Sequence, residues 1–483
     1  MHARLSYDAA VVGAGPNGLA AAVRLAGAGL SVVVLEGSAT IGGGARSAEL
    51  TLPGFTHDVC SSVHPLGIAS PWFRGLPLAG HGLAWAHPPI PLAHPLDGGG
   101  VAVLERGLAE TVKGLGEDGA AYGRAMGPLV RDAGRLLEDI LRPPLRIPRH
   151  PLTLARFGWL ARRAAADLAG AWFKEPAGRA LFAGIAAHGF LPLEQGPSAA
   201  CGVVLSLLAH ASGWPFARGG SQRISDSLAA HFRSLGGEIA TRCPVSRMDE
   251  IPLARTVVLD LTPRQLVPLG GAGWPASYRK RLEAFRYGPG VFKIDYAMDW
   301  PVPWTNAVCS RAGTVHLGGE AAEIATAERE VTAGRIPERP FVILTQPSVA
   351  DPTRAPEGCS TVWAYCHVPH GSTVDMTARI EAQIERFAPG FAGRVLARHT
   401  RNCAQMEAEN PNLVGGDING GVFDWRQYLA RPVATPTPYR TPVPGIYLCS
   451  ASTPPGGGVH GMCGFHAAEA ALRGSGYAAA RKR

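Results

Sequence analysis

Residues 8–36 restrict the fold of this chain more than any other stretch. Residues 8–12 are short, apolar and closed by glycine, which predicts a buried strand. The turn Gly13-Ala14-Gly15-Pro16-Asn17-Gly18 follows. An Ala-rich helix is predicted over 16–28, with Gly29 as its stop. Residues 31–36 read as a second, β-branched strand. Such a strand–helix–strand unit is parallel with a right-handed crossover. Gly13 permits the tight turn, Gly15 lets backbone approach a pyrophosphate, and Gly18 lets the helix pack close to the sheet. The helix start, with Pro16 and Asn17, turns free N–H groups and a positive dipole end toward phosphates. Glu36, ending the second strand, is placed to accept from ribose hydroxyls and to repel a 2′-phosphate. The unit therefore predicts a dinucleotide site.

Two glycine runs favour FAD over NAD. Ile41-Gly42-Gly43-Gly44-Ala45-Arg46 lies just beyond the Glu36 strand, and Pro455-Gly456-Gly457-Gly458-Val459-His460-Gly461 opens the last predicted helix. A glycine run at a helix N-terminus can donate N–H groups to the flavin pyrimidine edge, which gains negative charge on reduction. Gly43, Gly44, Arg46, Ser450, Gly457, Gly458 and Val459 join the first set as expected FAD contacts. A plain loop is the alternative for either run.

At 483 residues the chain exceeds one ordinary core, so two intertwined domains are expected. One amphipathic helix is predicted over 118–141, another over 374–387, and helical patterns continue to about 210. Residues 219–236 read as a turn and helix. Strand-like pieces follow at 238–241, at Val245 and at 256–261. Residues 290–300, 341–346 and 361–368 alternate like strands of a second sheet, and 445–449 precedes the final helix over 461–472. The fold class is α/β: a Rossmann-like, glutathione-reductase-like FAD-binding domain (1–100, 215–270 and 430–483) interleaved with an α+β substrate domain carrying a helical cap (101–214 and 271–429).

Composition narrows the function classes. Net charge is +8, yet no nucleic-acid module is present. Nine cysteines without a C-x-x-C pair argue against zinc and against a redox dithiol, and suggest a reducing compartment. The start Met1-His2-Ala3-Arg4 leaves no room for a signal peptide. The longest apolar stretch, Ala199–Ala211, is too short to span a bilayer. A cytoplasmic protein is expected, with 142–163 as a candidate membrane contact because its arginines alternate with Leu152, Phe157, Trp159 and Leu160. A solvated cap helix is the bland reading of that segment.

With these motifs stand Phe216-Ala217-Arg218-Gly219-Gly220, Leu235-Gly236-Gly237-Glu238-Ile239, Arg431-Pro432 and Gly445-Ile446-Tyr447-Leu448-Cys449. Together they resemble the phytoene-dehydrogenase-like flavoproteins, the carotenoid and retinoid oxidoreductase group of the amine-oxidase-like superfamily. The resemblance spans nearly the whole chain, weakly over 100–210. It implies non-covalent FAD, Glu36 on the ribose, Val245 against the adenine through its backbone, and a substrate domain above the flavin. Many members are peripheral to membranes and act on apolar polyenes. Ser450 and Ser452 stand where the resemblance expects Gly, and Pro454 where it expects His.

No Ser-His-Asp triad or metal cluster is suggested. His460 follows the second glycine run, where a cationic imidazole could stabilise reduced flavin or the residue could merely cap a helix. His64 is a candidate proton acceptor or a satisfied buried histidine. Trp363, Tyr365 and His367 share one strand face, which could wall a substrate pocket or simply pack. The expected activity is FAD-dependent hydride removal from a C–H bond of an apolar, isoprenoid or lipid-like substrate. Oxygen, a quinone or a nicotinamide nucleotide would accept the electrons. An amine oxidase, a redox-neutral isomerase and a non-catalytic, escort-type prenyl-binding protein are the alternatives.

Overall fold

The computed structural model describes residues 6–474, so Met1–Arg4 lie outside the described residues. In chain order the chain forms β1 (Ser6–Val12), α1 (Pro16–Ala26) and β2 (Val32–Leu35), then β3 (Ile90–Pro95) and β4 (Val101–Leu104). Among the helices that follow are α2 (Gly119–Arg131), α3 (Ala133–Ile140), α4 (Pro151–Ala161), α5 (Pro176–Ala187), α6 (Ala199–Ala211) and α7 (Gln222–Ser234). Next come β5 (Glu238–Ala240), β6 (Leu253–Leu259), β7 (Gly290–Met298), β8 (Ala312–Leu317) and α8 (Ala321–Thr332). The chain closes with β9 (Val342–Thr345), β10 (Ser360–Val368), α9 (Thr377–Phe387), β11 (Val395–Arg401), β12 (Ile446–Leu448) and α10 (Met462–Gly474).

Strands β12-β6-β1-β2-β5 form one sheet, parallel throughout. A parallel sheet must be covered on both faces, which explains the unbroken apolar runs 9–12 and 32–35. On one face α1 packs with α7 and α10 through Leu19, Val23, Ile224, Phe232 and Ala467. The two ends of the chain meet here. A Cβ on Gly464 would sit 1.8 Å from the Asn17 carbonyl oxygen, so α10 approaches α1 as closely as backbone allows. This mixed α/β, Rossmann-type architecture is the one expected.

The second sheet has the order β11-β7-β10-β9-β8-β3-β4, antiparallel except where β8 meets β3. Its first members correct the expected boundary at residue 100. Because β3 pairs with β8, the crossover out of the dinucleotide domain falls before Ile90. Two other expectations change. The helix expected over 118–141 is two helices broken at Asp132, and Val245 lies in irregular chain rather than a strand. Among the described residues no helix is long and apolar enough to cross a membrane.

Candidate functional site

The carboxyl ends of β1, β2 and β6 create a crevice where chain connections leave in opposite directions, the place where open α/β sheets bind ligands. Gly13 has φ of +99°, which a side chain would strain, and Gly18 would place a Cβ 2.0 Å from the Gly13 carbonyl oxygen. Glu36 is half-buried at the end of β2. Its carboxylate accepts from the Ala14 N–H at 2.7 Å and the Ser38 N–H at 2.9 Å, which fixes it beside the turn. Residues 242–245 run alongside: the Cys243 N–H donates to the Glu36 carbonyl at 2.8 Å, and Val245 is half-buried nearby.

A cavity of about 290 Å³ extends from this crevice. Gly15, Pro16, Asn17, Gly43, Gly44 and Asp260 line one end; Trp214, Trp363, Tyr365 and His188 line the other. Ser450, Ser452, Gly458 and Val459 lie on its wall as well. A second cavity of about 500 Å³ adjoins it and shares Val63, His188, Trp214, Asn419 and Val459. Leu66, Ile140, Leu154, Phe157, Val204, Leu205 and Tyr428 dominate it, with Gly457 and His460 at its edge. It has no carboxylate, lysine or arginine among its lining residues.

The expected catalytic histidines fare differently. His460 is buried, and its Nδ1 accepts from the Met462 N–H at 3.0 Å, capping α10. Burial pushes its pKa down to about 4, which favours the neutral, helix-capping alternative over the cationic one. His64 is also buried, with Nε2 2.8 Å from the Ser221 hydroxyl. Burial pushes it down to about 4, with Asp58 opposing. His367 does not reach either cavity. Its Nδ1 lies 2.8 Å from both Glu328 oxygens, and its ring packs on Phe190. Trp363 and Tyr365, its neighbours on the β10 face, do reach the first cavity. Arg46 is not among the residues lining either cavity: its guanidinium donates to the carbonyl of cavity-lining Gly43 at 3.0 Å and pairs with Glu409 at 3.1 Å.

Sequence reasoning missed two groups. His188, ending α5, is the titratable side chain common to both cavities. Its Nε2 lies 3.0 Å from His316 Nε2, and no hydrogen bond engages its Nδ1 among the described residues. Burial, then the adjacent His367, pushes His188 down to about 3. Nothing local marks it, because it depends on α5 meeting β8. Lys293 and Asp295 form a buried ion pair on β7, with the Lys293 ammonium 5.4 Å from the Trp363 ring centre. Burial pushes Lys293 down to about 8 despite Asp295. A period-two reading of Phe292-Lys293-Ile294-Asp295 could have found this pair, since two charges on one face of an apolar strand need a buried reason.

A family model, the NAD(P)-binding Rossmann-like domain, matches residues 11–76. Over almost its whole length the chain is similar to the rat pyridine nucleotide-disulfide oxidoreductase domain-containing protein 2, at 28% identity, with 97% of this chain and 93% of that protein covered. A lycopene-forming phytoene desaturase from a Paracoccus species is 23% identical over 52% of this chain and 53% of its own length. Among solved structures, a putrescine oxidase variant gives a TM-score of 0.62 at 18% identity, covering 97% of this chain and 99% of that one. The fold is thus amine-oxidase-like. The likeness to phytoene desaturase is distant and spans about half the chain, a narrower match than the motifs led one to expect.

The Rossmann-type site and these neighbours point to FAD and to oxidoreductase chemistry. The residues present fit that cofactor. Glu36 is fixed beside the glycine turn at the end of β2, where its carboxylate would accept from a ribose. Gly15 and Gly43 approach so closely that a Cβ on Gly43 would lie 3.1 Å from the Gly15 Cα. The Asn17 side-chain oxygen is buried without a hydrogen-bond partner at the cavity.

Proposed function

We propose that this chain is an FAD-dependent dehydrogenase that desaturates an apolar, elongated, uncharged substrate. The carrying observation is the second cavity, whose lining offers no carboxylate, lysine or arginine and which shares part of its wall with the first. A cationic substrate there would lose its hydration without gaining a carboxylate, whereas burying apolar substrate surface is favourable at about 25 cal/mol per Å².

FAD, when bound, supplies the two-electron acceptor for a hydride leaving one carbon of the substrate. Gly13, Gly15, Asn17 and Gly18 would hold its pyrophosphate, Glu36 its ribose, and Gly43, Gly44, Ser450, Gly458 and Val459 its remaining length. Forming a C=C bond also releases a proton from the adjacent carbon. His188 is the residue placed to take it. Its Nε2 lies 3.0 Å from His316 Nε2 and no hydrogen bond engages its Nδ1 among the described residues, so the neutral ring keeps a nitrogen free to accept, as a weak base whose pKa burial pushes down to about 3. Trp214, Trp363 and Tyr365 would orient the reacting carbons and exclude water.

The substrate's route supports a lipid-surface partner. Helix α4 lines the apolar cavity with Leu154, Phe157 and Ala161. Its outer side and the preceding loop expose Leu145 (58%), Ile147 (90%), Leu152 (83%) and Trp159 (65%). Arg149, Arg156 and Arg162 flank these side chains, as in a helix lying in an anionic headgroup layer. A long apolar substrate would then pass from bilayer to cavity beneath α4.

Anaerobic mixing of the flavin-loaded protein with a long-chain polyene and, separately, with primary amines tests this reading. Bleaching of the flavin bands by the polyene alone is expected. Bleaching by amines alone would replace it with the amine-oxidase reading, which the Trp214, Trp363 and Tyr365 wall also accommodates.

A further inference from the structure

The start of α1 has fewer free donors than a pyrophosphate-binding helix ordinarily offers. Pro16 has no N–H. The Gly18 N–H is already taken by the Asp260 side chain, Oδ2 at 2.9 Å, and the Leu19 N–H donates to the Gly15 carbonyl at 2.9 Å. Among the described residues only the N-cap Gly15 and Asn17 keep uncommitted N–H groups at this helix start. Asp260 arrives at the end of β6, anchored by its own N–H on the Val12 carbonyl at 2.8 Å. Its side chain is buried yet lines the first cavity, and a Cβ on Gly15 would lie 2.9 Å from its Oδ2. A carboxyl group thus stands where the helix dipole would otherwise meet phosphate.

We propose that Asp260 gates cofactor retention: the cleft holds the FAD pyrophosphate tightly when this carboxyl carries a proton, and weakly when it is ionised. The proposal rests on the reading that this cleft binds FAD. A protonated carboxyl can accept from Gly18 through one oxygen and donate to a phosphate oxygen through the other. An ionised one sets a third negative charge beside an anionic ligand in a poorly solvated crevice.

The surroundings favour the neutral form near physiological pH. Burial is the largest influence, the Gly18 N–H opposes it, and the Glu36 carboxylate at the end of β2 adds to it, pushing Asp260 up to about 7. The other titratable groups facing it are Cys449 beyond β12 and Cys463 on α10, thiols whose ionisation burial also suppresses. The 410–412 loop brings Asn412, which donates to the Asp260 backbone carbonyl at 2.9 Å and carries no charge. The nearest glycine-run cation, Arg46, is spent on Glu409. None of these groups supplies positive charge to hold Asp260 ionised.

The test is titration of flavin-stripped, full-length protein with FAD, followed by flavin fluorescence, at several values between about pH 6 and 8. The wild-type dissociation constant should rise about tenfold across that range, as one proton linked to binding requires. Asp260→Asn keeps an acceptor for Gly18 and should flatten the profile, binding at least as tightly as wild type at the alkaline end. A flat wild-type profile would overturn the proposal. So would an unchanged slope in the variant, or a variant that is weaker at every pH while melting at the wild-type temperature. Absence of FAD binding at every pH in both proteins would instead overturn the cofactor assignment beneath it.

Discussion

The dinucleotide crevice and the apolar cavity adjoin each other but are built by opposite means. The crevice is made of backbone: Gly13, Gly15, Gly18 and Gly43 are there because a side chain would collide or strain. The cavity is made of side chains, Leu66, Leu154, Phe157 and Val204 among them, carried on segments about 140 residues apart in sequence. Backbone solutions tolerate almost no substitution, whereas an apolar wall tolerates swaps that conserve volume. On the proposed reading, one region would fix the cofactor and the other would be free to set the substrate.

The sharpest way to divide the two regions is at His188. Replacing it with Gln should lower substrate-driven flavin reduction about a hundredfold or more, with the flavin spectrum unchanged, because proton transfer contributes about 10²–10⁴. Rapid-reaction absorbance would measure this. An equal loss of bound flavin would mean that the regions are not separable at that wall.

The ion pair that ties the second sheet to the segment after β2 is the next target. Arg354, between β9 and β10, reaches the loop after β2 and pairs with buried Asp58 at 2.6 Å. Asp58→Asn should cost about 3 kcal/mol in a denaturant melt, the low end for a broken buried pair, because Asp351 at 3.4 Å remains as the guanidinium's other carboxylate. Burial alone would raise Asp58, but Arg354 and the bonds from Ser221 and Ser62 outweigh it, leaving the pKa at about 2. A depressed carboxylate contributes its stability above its ordinary value of 3.8 and loses it as pH falls through about 2. Acid unfolding of the wild type should therefore steepen over that window, and the variant should lack this component.

Gly18→Ala probes the backbone-built side. Its Cβ would press on the Gly13 carbonyl, so about 1–3 kcal/mol of stability should go, with matching loss of FAD. Ala200→Ser, on the apolar wall, should change FAD affinity little. The smallest effect belongs to the outer face of α4. Trp159→Ser should weaken binding to phosphatidylglycerol vesicles about tenfold in a sedimentation assay, leaving binding to neutral phosphatidylcholine weak throughout. Equal binding by both proteins would remove α4 from the membrane contact.

The same contrast explains what could be read in advance. The turn at Gly13–Gly18, the acid at Glu36 and the glycine runs could be read because backbone requirements leave residue-specific marks at fixed spacing. Strands β7, β9 and β10 were legible from alternation. The break at Asp132 was not, since apolar spacing continues across it. His460 adjoins the glycine run in sequence, but its charge state depends on burial that only packing decides. The pairing of Arg46 with Glu409 could not be read in advance, since the two lie 363 residues apart. His188 and Asp260 lacked any local motif, since each acquires its surroundings from elements distant in sequence.

The central claim is that Gly13 to Glu36, closed by the turn before α10, holds FAD. The most direct measurement is the visible absorption spectrum of the purified protein supplied with FAD and freed of unbound cofactor, before and after dithionite. Flavin bands that remain with the protein and bleach on reduction are the predicted result. A folded protein that stays colourless under these conditions would contradict the account and leave the crevice without its cofactor.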